Sequence, residues 1–290
     1  MSWLKEFPSL GSEQLSAVRR AVDGAFRSFT REHGETMERL FDPLREFLLV
    51  SERLLTQSPW PLVVGGIALI AWLASRSMKI VIGTVLTLLA IGYFGMWDDT
   101  MKTISMIFVC TVVALVVGLP LGIAMSRWDR LQKVVNPTLD VMQTMPSFVY
   151  LIPVVMLLGI GRVPGLIAVV IYAIPPVIRF TNLGIRLVDK DLLEAADAFG
   201  ASTWHKMSKV QLPLALPTIM AGVNQTIMLS LAMVVIASMI GVQGLGQPVL
   251  KAISNQYFTM GVFNGLAIVG IAIIFDRVSQ AYGKRLQKHL

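Results

Sequence analysis

Charge is what this sequence has least of. Only 15% of its 290 residues are Asp, Glu, Lys or Arg, and 54% are hydrophobic, whereas an ordinary soluble domain carries about 25% charged residues. With a mean hydropathy of +0.67 and long apolar runs, that deficit excludes a conventional soluble enzyme and points to an integral membrane protein. Cysteine is nearly absent. Cys110 stands alone in an apolar run, which excludes an intramolecular disulfide and a cysteine cluster for zinc or iron–sulfur. His33, His205 and His289 are too scattered for a metal site. No Gly-x-x-x-x-Gly-Lys-Ser/Thr loop occurs, so the chain holds no Walker-type ATP site. Paired acids, Gly-x-Ser-x-Gly and the apolar core of a signal peptide within Met1–Leu10 are missing as well. No catalytic residue, metal or cofactor is expected on this chain.

The net charge of +7 does not indicate nucleic acid, because the basic residues lie in short clusters beside apolar runs. Residues 1–58 form a polar, helix-prone tail with eight basic and nine acidic residues. Within it Phe41, Leu44, Phe47, Leu48, Leu54 and Leu55 fall on one side at helical spacing. That stripe suits a helix in the membrane interface or one packed on a neighbouring subunit. Residues 59–290 hold seven apolar runs: 61–75, 80–97, 101–125, 142–160, 163–188, 216–242 and 263–282. At about 1.5 Å per residue, each is long enough or nearly so to cross ~30 Å of hydrocarbon. The expected fold is an all-α transmembrane bundle of about seven spans.

Four basic clusters follow runs one, three, five and seven: Arg76/Lys79, Arg127/Arg130/Lys133, Lys190/His205/Lys206/Lys209 and Lys284/Arg285/Lys288. All fall on one side. The positive-inside bias makes that side cytoplasmic, with the C-terminus inside and the N-terminal tail outside, in the periplasm. Asn136-Pro137 reads as a turn before the fourth run. Pro146, Pro153, Pro175 and Pro176 interrupt runs four and five, which predicts kinks that line a pathway or bend during a cycle. Phe148, Tyr150 and Tyr172 near these prolines offer ring faces to a cation. Asn224 suits an interhelical hydrogen bond or the pathway wall. Arg179, well inside run five, suits a structural or gating role or snorkels to the interface. Asp140 and Asp276 fall at or near run ends. Gly241-Val-Gln-Gly-Leu-Gly246 has no strand before it and reads as turn glycines at a membrane exit.

One polar stretch, 189–213, needs a reason to lie between apolar runs. Asp189 and Asp191 favour a helix start; Leu192, Leu193, Ala196 and Phe199 follow at helical spacing, and Gly200 is placed to end the helix. A second short helix from Ser202 to about Val210 is expected to stop at Pro213. The result is a helix–Gly–helix elbow with Leu193, Ala196 and Phe199 free for a partner's groove.

Here the sequence resembles a known family. Glu194-Ala195-Ala196, then Gly200, then Val210-x-Leu212-Pro213 is similar to the EAA signature of permease subunits of bacterial ABC importers, with Val210 where the family prefers Ile. The segments Gln143–Pro153, Ile174–Arg186, Pro213–Thr226 and Val235–Gly246 resemble the glycine betaine/proline betaine/choline branch. The resemblance implies a type I ABC importer fold and an inner-membrane homodimer of this chain. It also implies two copies of a separate ATPase holding ATP and Mg, and a binding protein that delivers a quaternary ammonium solute. It places the coupling contact on Glu194, Ala195, Ala196, Phe199, Gly200, Trp204, Leu212 and Pro213, with Glu194 as a cap or polar anchor and Gly200 as the turn. A self-sufficient transporter or channel for small organic cations is the alternative; it predicts ion-coupling acids within the spans.

Overall fold

Proline and glycine decide where the helices of this chain break. The computed structural model describes residues 11–287, so the expectations on Met1–Leu10, Lys288 and His289 fall outside it. The described chain is helical: α1 (Ser12–Gln57), α2 (Trp60–Ser75), α3 (Met78–Tyr93), α4 (Trp97–Arg127), α5 (Asp129–Thr144), α6 (Leu151–Leu158), α7 (Arg162–Ala173), α8 (Pro175–Arg186), α9 (Lys190–Ala198), α10 (Thr203–Lys206), α11 (Leu212–Ala237), α12 (Gly246–Asn255) and α13 (Phe258–Gln287).

The expected all-α bundle is present, but seven straight spans are not. Among the described residues, four segments are long and apolar enough to cross a membrane: Trp97–Arg127, Arg162–Arg186, Thr203–Ile240 and Phe258–Leu286. The second half of α1 with α2, and α5 with α6, qualify only as pairs bent by 114° and 111°. The bend between α1 and α2 falls at the expected division between tail and bundle. Helices α2 and α3 have 16 residues each, about 24 Å of helix and short of the hydrocarbon thickness. Pro146, extended at ψ 137°, breaks the fourth run, leaving a 3-10 turn (Ser147–Tyr150) and the eight-residue α6.

Asn136-Pro137 is not a turn. Pro137 lies inside α5, which is amphipathic and packs through Leu131, Val135, Leu139 and Met142 against α4 and α8. Ile174 keeps helical dihedrals between α7 and α8, so one span runs through the Pro175-Pro176 step without ending there.

The core is the span formed by α7 and α8, held between α4 and α11, with α13 outside α11. Small residues set the spacing. A side chain on Gly118 or Gly122 of α4 would meet Val177 and Thr181 of α8, and one on Gly222 of α11 would meet Phe180. Close backbone approach through such residues is how helices associate where no water drives them together.

The bundle has two distinct ends. At one, Arg285 donates to the Leu73 carbonyl at 2.8 Å and Arg127 to the Thr203 carbonyl at 3.2 Å, so basic clusters separated in sequence meet in space. At the other, Gly161 N–H donates to Ile240 and Leu245 N–H to Thr103 Oγ1. The 241–246 loop is folded into this end, with Val242 and Leu245 buried.

The apolar stripe of α1 takes neither of its expected places. Leu44 and Leu48 enter the main core beside Cys110 and Leu166, Phe47 packs on Phe108, and Leu55 joins Val64 and Leu88. Glu52 fixes the register: its carboxylate accepts from Arg162 at 2.7 Å, and Arg162 also donates to Gln243 of the tucked loop. With side chains 15% and 30% exposed, this pair is more costly to break than a surface bridge. Glu52→Gln is expected to destabilise the purified protein by about 1–2 kcal/mol, read as a lower thermal midpoint in detergent; an unchanged midpoint would contradict the clamp.

Candidate functional site

The 189–213 elbow forms as its residue types require. Asp189 caps α9, its carboxylate accepting from Asp191 N–H at 3.0 Å. At the other end Gly200 N–H donates to the Asp197 carbonyl at 2.9 Å and Ala201 N–H to Ala196 at 3.0 Å. That paired closure needs a left-handed residue, and Gly200 supplies it at φ +75°. Ser202 caps α10 by accepting from His205 N–H at 3.2 Å. Lys206 bridges back to both carboxylate oxygens of Asp197, at 2.6 and 2.7 Å, and pins the two arms together.

The elbow sits on the end of the bundle that carries the basic clusters. Phe199 is 92% and Trp204 72% exposed, and Leu192 and Glu194 also face outward, while Leu193 and Ala196 are half-buried. Glu194 is mid-helix and makes no side-chain hydrogen bond among the described residues; the capping role falls to Asp189. Ala195 is exposed on the same helix.

The second arm does not stop at Pro213. Helix α10 continues through a π-helical turn, Met207–Gln211, directly into α11. Proline lacks an N–H and its ring crowds the carbonyl four residues back. The widened turn, closed by Leu212 N–H on Met207, makes room for Pro213 without ending the helix. Leu212 and Pro213 are half-buried and Met207 fully so, against Ile185, Ala215 and Ile219. Trp204 is therefore joined by an unbroken helix to α11, which packs on α8 where Gly184 meets Ala215 and Thr218. A second anchor reaches α8 from the other side: Arg186 binds Asp129 at 2.6 Å, Asn182 at 3.0 Å and the Met125 carbonyl at 2.9 Å.

The pathway candidates separate into three groups. Tyr150 and Tyr172 meet edge to face at 5.8 Å, but Tyr150 is buried and donates to the Met142 carbonyl and Tyr172 is half-buried against the core, so Phe148 is the exposed ring of the three. Pro146 is exposed at the α5–α6 break. Pro175 and Pro176 are buried between α4 and α11 and line no open space. Asn224 lies elsewhere, donating to Asp276 at 3.1 Å and accepting from Ser279. Asp276 is within α13 and not at its end, a correction to the sequence reading. Arg179 pairs with Asp140 of α5.

Sequence reasoning missed this Arg179–Asp140 pair, the Asp197–Lys206 pin and the Arg127 anchor. The first was obscured because Asn136-Pro137 reads as a turn. The 4, 4, 3 spacing of Leu131, Val135, Leu139 and Met142 was the signal for it. Among the described residues no three His, Cys, Asp or Glu side chains converge as metal ligands.

Residues 114–288 match the family model of the binding-protein-dependent transport system inner membrane component, and the chain belongs to that family. It is 50% identical over 233 residues to the glycine betaine/proline betaine transport system permease protein ProW of Escherichia coli, covering 80% of this chain and 66% of that protein. It is 47% identical to the glycine betaine/carnitine transport permease protein GbuB of Listeria monocytogenes, covering 78% and 81%. The match thus spans just under two thirds of the length of ProW. Among solved structures the methionine ABC transporter MetNI, in an inward-facing conformation, aligns with a TM-score of 0.58 at 20% identity over 64% of this chain and 93% of that one. That likeness establishes the type I importer fold and nothing finer.

Proposed function

We propose that this chain is the membrane-spanning subunit of an ATP-driven importer for quaternary ammonium compounds such as glycine betaine, proline betaine or choline. The observation that carries the reading is the elbow: Phe199 and Trp204 stand out from the bundle on a pinned turn whose second arm is continuous with α11. Exposed aromatic side chains on a rigid support are the anchors that fit a partner's hollow. Here the partner is a separate ATPase, which holds the ATP and Mg; this subunit does no catalysis. Two ATPases receive the two elbows of a permease homodimer, and their closure on ATP draws the elbows together. The bundle then passes from inward- to outward-facing, a two-state change biased by nucleotide. A binding protein delivers the solute to the opposite end. The subunit sits in the bacterial inner membrane, and the positive-inside bias supports an elbow and C-terminus in the cytoplasm with α1 outside. The solutes in the names of ProW and GbuB support the substrate class.

The test is uptake of glycine betaine, proline betaine and choline into vesicles containing ATP. Uptake is expected only with this chain, its ATPase and its binding protein together. Gradient-driven uptake by this chain alone would overturn the reading in favour of a secondary transporter; Asp276 of α13, which accepts from Asn224 of α11 and from Gln280, is the acid such a transporter would use.

A further inference from the structure

The Arg179–Asp140 pair takes no part in the elbow, and its exposure is unusual for its depth. Arg179 lies seven residues, about 10 Å, inside the basic end of α8. Its side chain is 34% exposed and that of Asp140 64%. Gln143, Thr144 and Phe148 are exposed on the same α5–α6 side of the bundle. Hydrocarbon does not accept a carboxylate exposed to that extent, so intramembrane charges of this kind face protein or water.

The pair also has unspent capacity. Arg179 Nη2 donates to Asp140 Oδ1. Arg179 Nε is enclosed by protein and has no hydrogen-bond partner, the exposed third of the side chain lying on its other atoms, and no second bond to Asp140 is made among the described residues. The pair is a fixed dipole, positive on α8 and negative on α5. Tyr172 lies two turns before Arg179 on the same side of the span, and Phe148 is exposed beyond Asp140.

Building on the proposed function, we propose that Arg179 and Asp140 form a transit site for zwitterions that carry a carboxylate beside a quaternary ammonium, and that the site disfavours cations lacking the carboxylate. A betaine carries both charges a few ångströms apart. Its carboxylate fits the guanidinium fork. Its ammonium, which cannot donate a hydrogen bond, is held by the charge of Asp140 and by ring faces. A choline-like cation satisfies Asp140 but leaves Arg179 facing a like charge. At a few ångströms and intermediate dielectric that difference is enough for a preference of about tenfold or more.

The experiment measures binding of glycine betaine and of choline to the permease–ATPase complex in nanodiscs, without binding protein, by saturation-transfer NMR. Wild type is expected to bind glycine betaine about tenfold tighter than choline. R179Q should abolish that preference, R179K should keep it, and the swap R179D/D140R should restore it. A merely structural bridge between α5 and α8 would weaken both solutes equally, and an unmoved ratio in R179Q would overturn the proposal, as would equal binding by wild type. Asp140→Cys should react with a membrane-impermeant thiol reagent bearing a trimethylammonium group, against a background of buried Cys110; no reaction would also overturn it. Uptake that succeeds while this binding fails removes the transit site and leaves the importer reading intact.

Discussion

Gly200→Val is expected to lower solute uptake at least tenfold while the protein still inserts and the assembled complex still hydrolyses ATP. Nothing lies within 4 Å of a Cβ built at Gly200, so the substitution does not fail by collision. It fails through the backbone. At φ +75° a β-branched residue costs about 1–2 kcal/mol, and the chain escapes by leaving the left-handed region. That breaks the bonds from Gly200 to Asp197 and from Ala201 to Ala196 and turns α9 away from α10. The Asp197–Lys206 pin is then out of reach, and Phe199 no longer points where Trp204 does. Uptake and ATPase turnover in reconstituted complexes check this, with Gly200→Asn as the comparison, since Asn tolerates the same dihedrals better. Normal uptake by Gly200→Val would remove the elbow's geometry from the mechanism.

Gly122→Leu is expected to lower the yield of folded protein several-fold. A Cβ there would lie 2.6 Å from Thr181 Cβ and 2.8 Å from the Ile178 carbonyl oxygen. The obstacle includes backbone, so no rotamer relieves it, and α4 and α8 must separate along the length that α8 uses to contact α11. Overpacking of this kind costs about 1–3 kcal/mol or more, and a full leucine at a backbone contact belongs at the top of that range. The yield of monodisperse protein in detergent should fall several-fold, whereas Gly83→Leu on α3, where a Cβ meets nothing, should leave it unchanged. Equal yields would mean that α4 and α8 are not packed as described.

The elbow was legible in the sequence because its signals are local: an acidic helix start, an apolar spacing, a terminal glycine, and polar residues between apolar runs. Asp189, Gly200 and Ser202 do what their types and order suggest. Of the two roles implied for Glu194, cap or polar anchor, the cap is supplied by Asp189, five residues earlier. Pro213 failed as a stop signal because a π turn, invisible to helical periodicity, absorbs it. The basic clusters ordered the ends of the bundle, yet the seven-run count overstated the spans. Run length registers apolar residues and is blind to an axis that turns by 111° at Pro146. The partners of Arg179, Arg162 and Arg127 were illegible for another reason: they are 39, 110 and 76 residues away, and pairing at that range depends on which helices pack.

The central claim is that the elbow is where a separate ATPase acts on this chain, and site-directed cross-linking tests it most directly. Cys110 is buried, so Phe199→Cys in the assembled importer can be labelled selectively with a photoreactive benzophenone. Illumination is expected to join this chain to the ATPase, with a yield that changes on adding ATP, while Ile253→Cys at the opposite end gives no ATPase adduct. An ATPase adduct from Ile253→Cys and none from Phe199→Cys would contradict the account.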